Sequence, residues 1–181
     1  MKLLGPALLV SLLGSLYAQP VQPKSVDSPA FREFSQRVKE YVQLQKSVPR
    51  IKQTKQRKEI IAGRNALAAK IRETRSTAKP GDIFSPAGIE EFTKVIRSTL
   101  QGVNAPNIRK TIRQGEPQTG WKLTVNGDYP ENLPLTTIPP TLLMRLPQLP
   151  PEVAYRIVGH DFVLQDLEAR VVVDFIAGAL P

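Results

Sequence analysis

Cysteine is absent from this chain, which holds a single histidine, His160, a single tryptophan, Trp121, and two methionines. Without thiols it can form no disulfide framework, no thiolate metal site and no cysteine nucleophile. One histidine cannot make a multi-histidine metal site, and a Ser-His-Asp arrangement would have to be built around His160 alone. There is no glycine-rich phosphate loop, no HExxH pair, no nucleophile elbow and no calcium loop. Nor does any apolar run reach the roughly 20 residues a membrane-spanning helix needs. The run from Leu3 to Leu16 instead has the length of a signal-peptide core, with Lys2 before it and small or polar residues after it. It predicts a signal peptide over 1–18, cut after Ala18, and a linker over 19–28. The protein is then periplasmic or secreted, with no transmembrane span after cleavage; an uncleaved N-terminal anchor is the alternative.

What is abundant is positive charge and proline. The net charge is +9, unevenly spread. Residues 20–114 carry 20 Lys and Arg against 8 Asp and Glu, whereas residues 115–181 carry 4 against 8. The chain is thus basic first and acidic second. Its 181 residues with 41% hydrophobic composition suit one domain, or a small domain with a helical arm, and its 17 prolines require turn-rich connections.

The basic part, 29–114, reads as helices. Ser28-Pro29 is an N-cap followed by proline at the first helical position, and Phe31, Phe34, Val38, Tyr41 and then Leu44 or Gln45 recur every three or four residues until Pro49 stops the helix. A second helix is expected from Ile51 to about Ala78. Ten Lys and Arg lie between Lys46 and Arg75, against two acids, Glu59 and Glu73. Within this stretch Lys52, Lys55, Arg57, Lys58 and Arg64 are the candidate contacts for an acidic partner; a solvated helix face is the plainer explanation. Ser85-Pro86 repeats the cap signature, with Ile89, Phe92, Val95, Ile96 and Leu100 tracing the next stripe to about Gly102, and Asn104 begins a short helix through Ile112.

The segment 115–151 holds an expected strand, Trp121 to Val125, and then seven prolines between Tyr129 and Pro151 that favour an extended path. Thr141 to Leu146 is free of proline and could add an edge strand. Residues 152–181 then read as an antiparallel meander. A tight turn at Gly159-His160 sets Ile157 opposite Phe162 and Tyr155 opposite Leu164. A second turn through Asp166 to Ala169 sets Gln165 opposite Arg170, Leu164 opposite Val171 and Phe162 opposite Val173. One face then holds Tyr155, Ile157, Phe162, Leu164, Val171, Val173 and Phe175. The other carries Arg156, Asp161, Gln165, Arg170 and Asp174 with Val158, Val163 and Val172. The predicted fold is α+β: an N-terminal helical hairpin or small bundle, then a small antiparallel three- to four-stranded sheet.

Chemistry has few places to reside. His160 belongs to a hairpin tip, and Trp121 and Tyr129 read as packing residues with a polar handle. Asp161, Asp166, Glu168 and Asp174 form an acidic edge able to hold a divalent cation through oxygens, although strand-end acids chiefly guard sheet edges. No catalytic residue, metal ligand or cofactor is assigned.

The order Leu149-Pro150-Pro151-Glu152, Tyr155-Arg156-Ile157-Val158, Asp161-Phe162-Val163-Leu164 and Ala169 to Ile176 resembles the C-terminal hairpin of the RcnB-like periplasmic proteins, and is similar to related small exported domains of unknown function. The resemblance implies an exported, non-catalytic protein. RcnB-like proteins are linked to nickel and cobalt homeostasis, so an accessory role in metal-ion or envelope-stress homeostasis is the alternative function. The histidine or methionine richness of a metal handler is missing here. The expected function is binding in the cell envelope or periplasm: an acidic protein or an anionic envelope surface, or the acidic half of another copy. Nucleic acid is not an expected partner of an exported chain, and an enzyme of unknown class is the third alternative.

Overall fold

A computed structural model describes residues 27–49, 56–101, 106, 122–130 and 138–181. The expected signal peptide, the short helix from Asn104, Trp121, Lys52 and Lys55 lie outside the described residues.

Helix α1 spans Pro29–Ser47, and the Ser28 hydroxyl accepts the Phe31 N–H at 3.2 Å as its cap. Its stripe Phe31, Phe34, Val38, Tyr41 and Gln45 is buried. Helix α2 covers Arg57–Thr74, ending short of the expected Ala78 in a turn at Arg75–Thr77. Helix α3 covers Pro86–Leu100, where the Ser85 hydroxyl accepts the Gly88 N–H at 3.3 Å. The proline-rich segment contributes a single turn of helix, α4, at Pro140–Leu143. The edge strand expected over Thr141–Leu146 is therefore not formed. Pro140, at the first helical position, favours a helical start, and Leu142 turns inward and is fully buried.

Three strands follow, β1 (Val153–Val158), β2 (Asp161–Asp166) and β3 (Val172–Ile176), in a sheet of order β1-β2-β3. The first hairpin has the register its sequence predicts, Ile157 opposite Phe162 and Tyr155 opposite Leu164, with Gly159 at φ +58°. The second hairpin does not. Phe162 pairs with Ile176, Leu164 with Asp174 and Gln165 with Val172, with a bulge between Leu164 and Gln165. The bulge adds one residue to β3, so Val171 and Val173 still reach the main core while every later residue changes face. Asp174, expected on the polar side, is buried on the core side; Phe175, expected in the core, packs against the cluster on the opposite face.

The main core joins both halves. Phe92 of α3 lies within 4.8 to 6.0 Å of the rings of Phe31, Phe34, Phe84, Tyr155 and Phe162. Across the sheet, Tyr129, Val158, Val163 and Val172 form a smaller cluster with Leu123 and Phe175 against it. The strand expected at Trp121–Val125 is not formed over its described part: residues 122–124 are irregular, a turn occupies Val125 and Asn126, and pairing with the sheet begins at Asn126. Asn126 N–H reaches Val172 O at 2.8 Å, Val172 N–H reaches Gly127 O at 2.9 Å, and Asp128 bridges Val171, so this segment runs along the free edge of β3. Gly127 is required there, because a Cβ would lie 2.9 Å from the Thr124 carbonyl oxygen, a backbone atom that cannot rotate away.

Candidate functional site

Helix α2 changes character along its length. Leu67, Ala68 and Ile71 in its second half are buried, whereas every residue from Gln56 to Ala62 is exposed. The first half carries the cations singled out by sequence: Arg57 and Lys58 are exposed and Arg64, one to two turns on, is half-buried. Arg57 and Lys58 occupy the first turn, the positive end of the helix dipole, with only Glu59 to offset them, and the N-cap Gln56 makes no capping bond through its side chain. These charges oppose local helix stability, and both residues stay exposed.

In the second half the arginines turn inward. Arg72 donates through Nε to Asn126 O at 2.8 Å and pairs with Asp128. Arg75 stacks over the Tyr41 ring at 5.1 Å and donates to Val173 O and to Asn126 Oδ1, while burial lowers its pKa. Asn126 adopts φ +61° and returns a hydrogen bond from Nδ2 to Arg75 O at 2.7 Å. The two basic ends of α2 therefore have different employment. One clamps the helix to the β3 edge and the other faces solvent.

The acidic half shows the complementary pattern. Asp174 is fully buried and accepts N–H groups from Gly81 at 3.1 Å and from Ile83, Phe84 and Phe175 at 2.8 Å each. Burial raises its pKa, and those four donors oppose the rise. Asp166, also fully buried, accepts the Tyr41 hydroxyl at 2.7 Å, Gln45 Nε2 at 2.9 Å and the N–H groups of Glu168 and Ala169. The Tyr41 hydroxyl is pushed far above its usual pKa, first by burial and then by the Asp166 charge. Neither aspartate guards a sheet edge. Each ties the sheet to the helical half, a role hidden from sequence because the donors lie up to 125 residues away. Glu152 pairs with Lys46 at 2.6 Å, and Asp161 accepts the Gly178 N–H at 2.8 Å.

Among the described residues no three of His, Asp and Glu are grouped so as to hold a metal ion. His160 stands at the hairpin tip, where its carbonyl accepts the Leu180 N–H at 3.0 Å and Nδ1 lies 3.3 Å from Leu180 O. Tyr129 is a packing residue of the smaller cluster, its pKa raised by burial. A groove of about 250 Å³ lies between α1 and the Gln148–Pro150 segment, lined by Phe34, Ser35, Val38 and Lys39 on the helix side. Its serine hydroxyl donates back to Phe31 O at 2.8 Å, the ordinary use of a helical serine. No described helix is long and apolar enough to cross a membrane. Comparison of the chain with protein-family models, with curated proteins and with solved structures gives no match.

Proposed function

We propose that this is an exported, non-enzymatic binding protein of the periplasm or envelope that holds an anionic partner through the first half of α2. The observation that carries the reading is the contrast within the chain's charges. Arg57 and Lys58 are exposed on a helix half that the body does not cover, whereas Asp166 and Asp174 are buried and engaged within the fold. Asp128 and Glu152 pair with Arg72 and Lys46 of the same chain. Among the described acids of that half, Asp128 and Glu168 are exposed, and Asp128 is already paired with Arg72 of its own chain, which favours a foreign anion over self-association. Export rests on the Leu3 to Leu16 run and on the RcnB-like order of the last strands. The polar groups of the core support a non-catalytic role, because each aspartate there is consumed by hydrogen bonds that hold the halves together.

The test is retention on an immobilised polyanion such as dextran sulfate. The protein should be retained at low salt and released as salt rises, and replacing Lys52, Lys55, Arg57, Lys58 and Arg64 by Gln should abolish retention while leaving the circular dichroism spectrum unchanged. Undiminished retention of that variant would refute the assignment of the site.

A further inference from the structure

We infer that the anionic partner is a lipid surface, with the first two turns of α2 lying in the headgroup region and Ile60 and Ile61 entering it. The inference rests on the anion-binding reading above and names the partner. Leu67 and Ala68, the buried stripe of α2, are 5% and 3% exposed. Ile60 and Ile61, seven positions upstream and so two turns earlier on the same stripe, are 48% and 40% exposed. The apolar face of the helix therefore continues beyond the protein body that covers its second half. Large β-branched side chains in water next to Arg57 and Lys58 form the mixture by which interfacial helices bind anionic bilayers: cations meet phosphates while apolar groups enter the acyl boundary. A soluble polyanion would use the cations and leave both isoleucines in water. Charge complementarity thus selects an anion, and the isoleucine pair selects a bilayer among anions.

Vesicles of phosphatidylcholine, alone or with equal parts phosphatidylglycerol, test this by co-sedimentation with the mature chain, residues 19–181, alongside retention on dextran sulfate. Binding should require phosphatidylglycerol, and Ile60→Ser/Ile61→Ser should weaken vesicle binding by about tenfold or more while leaving dextran sulfate retention unchanged. Because the chain has no cysteine, a polarity-sensitive bimane on Ile61→Cys reports from this one position, and its emission should shift to the blue on phosphatidylglycerol vesicles. An unshifted emission on sedimented vesicles means attachment through another part of the chain and overturns the inference, as does a serine variant that binds vesicles like wild type. Retention on dextran sulfate without vesicle binding removes the lipid and leaves the anion reading standing. Binding to neither removes both. An oligomer that dissociates in the serine variant while vesicle binding is unaltered assigns the stripe to a second copy and also overturns the inference.

Discussion

Replacing Asp174 with alanine strips four backbone N–H groups of their shared acceptor, and the structure says which losses matter. The Ile83 and Phe84 donors sit in buried surroundings at 2.8 Å, while those of Gly81 and Phe175 are only partly covered and can be rehydrated. Each buried donor left unpaired costs about 1–3 kcal/mol. Alanine also relieves the burial cost that raises the carboxyl pKa, which offsets part of the loss. The expected destabilisation is about 3 kcal/mol, or a fall in Tm of about 10 °C for a domain of this size. Asparagine should do no better, since one of its two positions would turn an NH₂ toward N–H donors. Urea unfolding followed by circular dichroism measures both variants, with Asp161→Ala as a control that removes the acceptor of an exposed N–H, that of Gly178. If Asp174→Ala unfolds within about 0.5 kcal/mol of wild type, the buried bonds do not hold the Gly81–Phe84 turn and the account of this residue fails.

The raised Asp174 pKa has a pH signature. The folded protein binds that proton more tightly than the unfolded chain, so the associated stability is complete below the ordinary value of 3.8 and is lost as pH rises through the folded value. The margin of wild type over Asp174→Asn should grow as pH falls from neutrality toward 3.8; a flat or shrinking margin in paired urea titrations would contradict this. Tyr41 and Tyr155, both raised by burial, should show no tyrosinate absorbance until alkaline unfolding, so absorbance and ellipticity should change together. Gly178 has φ +61°, and a methyl group added there would meet no atom within 4 Å, so Gly178→Ala should cost about 1 kcal/mol from backbone strain alone, measured by thermal melting.

How far the sequence discloses this structure varies from element to element. The Ser28-Pro29 and Ser85-Pro86 signatures locate two helix starts because a cap is a local interaction, complete within four residues. The first hairpin is equally local, its register following from one glycine and the alternation on either side. The second hairpin defeats the same logic, because a bulge costs one residue of parity and leaves no mark in a run of valines. That slip moves Asp174 from solvent to core and reverses its role. The basic helix is visible as composition, but which of its cations face outward depends on what covers α2: Arg72 and Arg75 are drawn in by Asn126, Asp128 and Val173, partners about 50 to 100 residues distant. Ile60 and Ile61 are readable as apolar residues of a helix, and only their exposure shows that the body ends before they do.

The placement of Phe92 among rings from both ends of the chain also bears on the order of events during synthesis. A polypeptide emerging N-terminus first has made its helices long before Tyr155, Phe162 and the two inward aspartates exist to receive them. Until β3 leaves the ribosome, the helical portion lacks the surface that closes over its rings and stays loosely collapsed. Such a chain stays pliable until the strands that carry Tyr155 and Phe162 have been translated, so a chain halted before β1 should bind hydrophobic dyes that the finished fold excludes.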